Sequence, residues 1–284
     1  MTVLEAIQKT AAFFDQKGVE SSRLQAELLL AHVLQLPRLK LYLNFERQLQ
    51  AVETDAFREL VRRRGQREPL QHILGTVSFC GIELASTRAA LIPRPETETL
   101  AQIGWELLAQ HPAPAPCVFD FGTGTGCLAI ALALKVPRAR IWAGDISAPA
   151  LELARANAVR TGAAERIQFV PGDGFAALPH DQRFDLIVSN PPYIPTPEIA
   201  TLQPEVRDFD PHQALDGGED GLRFYRQIAA QGSAWLNPAG RIAVELGDDQ
   251  AASVSEIFAA QKWIVEGTRQ DYSLRDRFLL ARRP

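Results

Sequence analysis

Val118-Phe119-Asp120-Phe121-Gly122-Thr123-Gly124-Thr125-Gly126 decides the fold. A short apolar run meets three glycines at alternate positions, and an apolar helix carrying Leu128, Ile130 and Leu132 follows. That order reads as a buried strand, a tight turn and a helix, with glycine where backbone must approach a ligand closely. Outward from it, strand and helix alternate. A strand at 141–144 ends in Asp145, a helix from about Pro149 to Arg160 stops at Gly162, and a strand at 167–170 runs on to Asp173. A strand at 184–189 precedes a proline-rich loop. A helix over about 221–235, a strand at 241–246, a helix over about 249–260 and strands at 263–265 and 277–281 complete the chain. This alternation predicts an α/β fold with a doubly wound, mostly parallel sheet. Two strands close together at the end predict an antiparallel edge pair.

Upstream the period is helical. Thr2-Val3-Leu4-Glu5 and Ser22-Arg23-Leu24-Gln25 read as capping boxes, with Leu4, Ile7, Ala11, Phe14 and Leu24, Leu28, Ala31, Leu34 as the apolar faces. Gly18 and Pro37 stop these helices. Thr54 reads as the cap of a third, carrying Phe57, Leu60 and Val61 and ending before Gly65. His32 reads as a core or boundary residue. A small helical bundle is expected over residues 1–75. Val77, Phe79, Ile82 and Leu84 straddle Gly81 as a hairpin within a linker over 76–90. Pro93-Arg94-Pro95 then leads into a helix from about Glu96, acidic in its first turn. Arg94 between two prolines suits either a rigid linker or a functional rim. His111–Pro116 is a Pro/Ala spacer.

A chain of 284 residues accommodates one large domain and one small one. Its net charge of -4 argues against a large nucleic-acid footprint. Residues 1–90 hold 12 Lys and Arg against 10 Asp and Glu, which leaves 18 against 24 for the rest. Part of that basic excess clusters at Arg62, Arg63, Arg64 and Arg67, either a solvated helix end or a contact for an acidic partner. Three cysteines without paired spacing fit a reduced, cytoplasmic setting, and five scattered histidines predict no metal centre. Neither a membrane span nor a signal peptide is expected.

The glycine turn admits more than one ligand. Gly124-x-Gly126-x-x-Ala129 also matches the dinucleotide pattern, and Asp145 after the second strand would accept ribose hydroxyls in either case. Two features favour S-adenosylmethionine. Asp120 precedes the glycines, where a carboxylate can engage a cationic amino-acid group, directly or through water, and would repel a pyrophosphate. Downstream there is no obvious hydride-transfer partner, whereas Asn190-Pro191-Pro192-Tyr193 suits an amine acceptor. The prolines end the strand. The Asn190 side-chain oxygen and the Pro191 carbonyl can each accept one hydrogen of a planar NH2, and Tyr193 can lie against its flat face. The same four residues also read as a strand end closed by an Asx turn. Asp173 suits either an adenine amino group or a helix N-cap.

Together these motifs resemble the class I methyltransferases: D-x-G-x-G-x-G at Asp120–Gly126, an acid at Asp145, and N-P-P-Y at Asn190–Tyr193. Within them, Ile92-Pro93-Arg94-Pro95-Glu96-Thr97-Glu98, Asn190–Pro195 and Asp271-Tyr272 with Arg277-Phe278 resemble the PrmC/HemK group. The resemblance covers nearly the whole chain. It implies a seven-stranded, mostly parallel sheet over 91–284 behind a helical substrate-recognition domain. It implies an enzyme that methylates a glutamine side-chain nitrogen in the Gly-Gly-Gln motif of peptide chain release factors, as a monomer without direct nucleic-acid contact. By the same resemblance Asp120, Gly122, Thr123, Gly124, Thr125, Gly126, Asp145, Asp173, Gly174 and Asn190 line the cofactor site. Asn190, Pro191, Pro192 and Tyr193 line the glutamine, with Asn190, Pro191 and Tyr193 catalytic, and Pro93, Arg94 and Glu96 form the rim. Phe121, Cys127 and Gly174 depart from the family pattern, Gly174 leaving only backbone to meet adenine. Two other readings compete: an adenine-N6 or other nucleic-acid amino methyltransferase, whose flipped base also presents an NH2, and a non-catalytic cofactor-binding protein.

Overall fold

The computed structural model describes residues 1–283. The chain divides into two compact units: Met1–Thr76 with Gln203–Phe209, and Val77–Leu202 with the residues from Asp210 onward.

In the first unit α1 (Val3–Gln16), α2 (Ser22–Leu34), α3 (Arg38–Leu41), α4 (Ala51–Gly65) and α5 (Leu70–Leu74) enclose Ile7, Phe14, Leu29, Leu30 and Phe57. Thr2 and Glu5 form the capping box read from sequence. The second does not form. Ser21 holds the N-cap position of α2 without a side-chain bond, while Ser22 turns inward and donates to the Val19 carbonyl at 2.8 Å and to Asp15. The buried face only partly matches the expected one: Ala31 is buried and Leu34 packs against the core as expected, but Ala26, Leu29 and Leu30 are buried too, and Leu24 and His32 are exposed. The third helix starts earlier than expected, because Gln50 and Glu53 cap it and Thr54 lies inside its first turn. The arginine cluster is spent within this unit. Arg62 pairs with Glu59 at 2.6 Å, Arg63 with Glu68 at 2.7 Å, and Arg64 and Arg67 both grip Glu205, at 2.7 and 2.6 Å.

The hairpin β1 (Thr76–Phe79) and β2 (Ile82–Ala85) turns at Cys80-Gly81, both left-handed, which matches the strand twist. Next come α6 (Pro95–Gln110), β3 (Cys117–Phe121), α7 (Cys127–Lys135), β4 (Arg140–Asp145), α8 (Ala148–Thr161), β5 (Ile167–Pro171) and β6 (Phe184–Ser189). After a loop holding α9 (Pro204–Arg207) follow α10 (Arg223–Gln231), β7 (Leu236–Glu245), α11 (Ala251–Ala260), β8 (Ile264–Gln270) and β9 (Asp276–Arg282). The seven-stranded sheet has the order β5-β4-β3-β6-β7-β9-β8, with β9 antiparallel to both neighbours. Strand alternation sorts two apolar layers. Val118, Leu186, Val188 and Ala243 face Leu100, Leu128 and Leu132, whereas Phe119, Ile187, Ile242 and Val244 face Tyr225, Ile228, Val254 and Phe258. Every residue of β6 is buried, the apolar run Leu186–Val188 together with the polar Asp185 and Ser189. The chain leaves β3 toward β4 and β5 on one side and returns with β6 on the other. That reversal opens a crevice at the carboxyl ends of β3 and β6.

Candidate active site

The crevice is a pocket walled by Gly122–Thr125 after β3, Asp145–Ser147 after β4, Gly172–Gly174 after β5 and Asn190 after β6. Pro93, Arg94 and Thr97, with Pro211, Gln213 and Ala214 of the loop ahead of α10, form its remaining side. Gly126 is needed for two reasons. Its φ of +82° is left-handed, and a Cβ there would sit 3.1 Å from the Cβ of Ala154, so its absence lets α7 begin against α8.

Asp145 ties the turn to β4. Its Oδ2 accepts the Gly124 N–H at 2.8 Å and its Oδ1 the Ser147 N–H at 2.9 Å. Lone pairs remain for hydroxyl donors in the pocket, and burial raises its pKa. Asp120 behaves differently from expectation. It is fully buried and does not line the pocket. Its Oδ2 accepts the Thr123 hydroxyl at 2.6 Å and the Ala129 N–H at 3.2 Å, bracing the turn from behind, and Oδ1 has no hydrogen-bond partner. Burial, with the charge of Asp145 adding, pushes this carboxyl up to about 7. The turn takes up Oδ2 alone and leaves Oδ1 without a protein partner.

Asp173 is exposed on the pocket wall and opens a 3-10 turn, Gly174–Ala177, without a side-chain capping bond. Gly174 has φ +54°, and a Cβ there would meet the Phe121 ring at 2.6 Å. Two departures from the family pattern thus compensate: the large Phe121 occupies the space a side chain at 174 would take. Cys127 also lines the pocket, with its thiol pushed up to about 12 by burial.

The Asn190 carboxamide is held by two residues that sequence reasoning missed. Its Nδ2 donates to Thr97 Oγ1 at 3.0 Å, and Thr97 donates to Glu245 Oε2 at 2.7 Å. With the nitrogen committed, Oδ1 is the free acceptor. Pro191 is buried and Pro192 lines the pocket. Tyr193 does not: its ring packs into the layer beneath β6 and β7, its carbonyl accepts Gln250 Nε2 at 3.0 Å, and burial pushes its phenol to about 12. The charges of Arg94 and Glu96 act on that phenol, so the ring stands near the rim. Glu96 also lies off the pocket wall, whereas Arg94 is on it and pairs with buried Asp210 at 2.6 Å. Asp210 additionally accepts the Ile92 N–H at 3.3 Å.

Among the described residues no group of three or more His, Cys, Asp or Glu could hold a metal ion, and no helix is long and apolar enough to cross a membrane.

Such a sheet, with its glycine turn at the first strand and an amide at the fourth, belongs to the class I methyltransferases, which use S-adenosylmethionine. A crystal structure of a methyltransferase from Pyrococcus furiosus shares that fold, with a TM-score of 0.51 at 18% identity over 71% of this chain and 89% of that one. Residues 5–75 match the PrmC N-terminal domain and residues 100–201 the methyltransferase small domain. A release factor glutamine methyltransferase of Geobacter sulfurreducens is 45% identical across 99% of this chain and 96% of its own length. Another, of Chlorobaculum tepidum, is 44% identical across 98% and 96%. The chain belongs to the release factor glutamine methyltransferase family.

Proposed function

We propose that this chain transfers the methyl group of S-adenosylmethionine to the side-chain amide nitrogen of the glutamine in the Gly-Gly-Gln motif of a peptide chain release factor. The observation that carries the reading is the Asn190 carboxamide on the pocket wall, whose nitrogen is bound to Thr97, which leaves its oxygen for a donor in the pocket. The pocket suits the cofactor: the glycine turn leaves backbone open, Asp145 keeps lone pairs for ribose hydroxyls, and Asp173 is an uncommitted carboxylate for the adenine amine. When bound, S-adenosylmethionine supplies an electrophilic methyl on a cationic sulfur.

The chain's own residues address the other reactant. An amide nitrogen is a poor nucleophile because its lone pair is delocalised. Asn190 Oδ1 and the Pro191 carbonyl accept its two hydrogens, fix its orientation and favour pyramidalisation. Holding the nitrogen in line supplies much of the acceleration. The same two oxygens stabilise the positive charge that develops on it. Tyr193 contributes through its backbone, pinned by Gln250, and so fixes the turn that aims the Pro191 carbonyl. Arg94 and Asp210 hold the rim together. No strong general base is required, since a methylated, positively charged amide loses its proton readily.

The test is methyl transfer from labelled S-adenosylmethionine to a purified release factor. Label should appear on the factor and vanish when its Gly-Gly-Gln glutamine is replaced. Asn190→Ala should lose roughly 100-fold or more in kcat while binding cofactor normally. Label in DNA or RNA, with the release factor unlabelled, would refute the substrate assignment.

A further inference from the structure

Glu245 takes no part in the transfer as described, yet it lies two hydrogen bonds from the acceptor. It is 1% exposed at the end of β7, and its Oε2 receives the Thr97 hydroxyl at 2.7 Å. We propose that Glu245, acting through Thr97, dictates which end of the Asn190 carboxamide faces the pocket, and that only its ionised form does so. This rests on the reading of Asn190 as hydrogen-bond acceptor for the substrate amide.

Proton ownership along the chain of hydrogen bonds fixes the orientation. The Thr97 hydroxyl owns one hydrogen, and an ionised carboxylate can only accept. That hydrogen is therefore committed to Glu245. Thr97 Oγ1 is left with lone pairs and accepts from Asn190 Nδ2 at 3.0 Å. The carboxamide then has one arrangement, with nitrogen inward and oxygen toward the pocket. A protonated Glu245 can instead donate to Thr97. The Thr97 hydrogen is then free to point at Asn190, where it calls for the oxygen. The carboxamide reverses and presents N–H groups to a substrate that itself offers N–H. Donor faces donor, and the acceptor grip is lost. The relay moves no proton to substrate; it makes Glu245 and Thr97 positioning residues.

The surroundings place the switch in a useful range. Burial raises the Glu245 pKa to about 7. Arg277 of β9 and Arg94 ahead of α6 favour the ion, and Glu96 of α6 opposes it. The phenols of Tyr193 and Tyr225 are also close, and Tyr225 donates to the Glu245 backbone carbonyl rather than to its carboxylate.

Thr97→Val keeps the shape and removes the hydroxyl, Thr97→Ser keeps the hydroxyl, and Glu245→Gln removes the titration. kcat and KM for methyl transfer to the release factor are measured on each full-length variant from about pH 6 to 9, the range that brackets a group titrating near 7. S-adenosylhomocysteine affinity serves as the control for a folded cofactor site. The wild type should show kcat falling on the acid side. Thr97→Val should lose roughly tenfold in kcat at alkaline pH, the worth of one hydrogen bond, with KM and cofactor affinity little changed. That acid limb should be absent from Thr97→Val and Glu245→Gln and regained in Thr97→Ser. An unchanged acid limb in both Thr97→Val and Glu245→Gln would overturn the relay while leaving the functional reading intact, because Asp120 or another group would then be its source. No transfer by the wild type at any pH would overturn the functional reading and the relay with it.

Discussion

Gly174 and Phe121 offer a quantitative test of how the adenine side of the pocket is built. In Gly174→Ala the new Cβ would sit 2.6 Å from Phe121 Cε2, 2.9 Å from Cζ and 3.0 Å from Gln227 Nε2. The ring cannot step aside. It is 4% exposed and packs against Phe119, Phe175 and Phe224 at centroid distances of 6.1, 5.3 and 6.5 Å. Overpacking of this kind costs about 1–3 kcal/mol, and holding alanine at φ +54° adds about 1 kcal/mol. The single variant should therefore lose about 2–4 kcal/mol, and its cofactor affinity should fall because both residues line the pocket. Phe121→Leu alone should cost about 1–2 kcal/mol through lost ring contacts. The double variant should be more stable than the sum of the singles predicts, by about 1–2 kcal/mol, because the clash is gone and only the backbone strain remains. Urea unfolding of the four proteins gives the cycle, and titration with S-adenosylhomocysteine reports the pocket. Additivity within about 0.5 kcal/mol would refute the idea that the large ring and the missing side chain compensate.

Other substitutions probe the turn and the rim. Asp145→Asn places an NH2 against either the Gly124 or the Ser147 N–H, so cofactor affinity should fall about 10- to 100-fold by calorimetry, with modest loss of stability. The Asp120 carboxyl is raised to about 7 in the folded chain, so its stabilising contribution is complete below about pH 4 and is lost as pH climbs through 7. Thermal unfolding should therefore show Asp120→Asn gaining on the wild type between about pH 5 and 8; a pH-independent difference would contradict this. Arg94→Ala leaves the buried Asp210 carboxylate unpaired, at about 3 kcal/mol, and limited proteolysis should speed up in the loop around residues 210–216.

Much of the fold was legible because its signals are local. The apolar run Leu186–Val188 announced a buried strand, and glycines at 122, 124 and 126 announced a tight turn, which proves to be left-handed at all three. The N-terminal helices were found but partly mis-faced. Leu24 and Leu28 have helical spacing, yet α2 buries Ala26, Leu29 and Leu30 and leaves Leu24 exposed. Ser22 has the chemistry of a cap, and the competing bond to Val19 turned it inward. The arginines at 62–67 read as either a solvated helix end or a contact for an acidic partner; Arg62 and Arg63 pair locally with Glu59 and Glu68, but Glu205, which holds Arg64 and Arg67, stands 138 residues from Arg67. Charge runs in sequence carry no record of counter-ions supplied from elsewhere.

The site shows the same limit in a sharper form. Asn190-Pro191-Pro192-Tyr193 is compatible with an inert strand end, and nothing inside the tetrapeptide decides between that and an acceptor clamp. What decides is the direction in which a carboxamide is held, which depends on Thr97, 93 residues upstream, and on Glu245, 148 residues beyond Thr97. Thr97 stands in sequence within an acidic first turn, and Glu245 within a strand expected over 241–246; neither carries a signal of its own. Each becomes chemically informative only when β7 pairs with β6 in the sheet and α6 packs across both strands. Motifs name the atoms that touch substrate; the residues that choose their protonation and rotamer are scattered by the topology of a doubly wound sheet. On the proposed reading, Asn190 offers the substrate amide a neutral oxygen, with the charge of Glu245 held two hydrogen bonds away. Setting the charge two bonds away keeps its influence on orientation and leaves a neutral oxygen where the nitrogen must become nucleophilic.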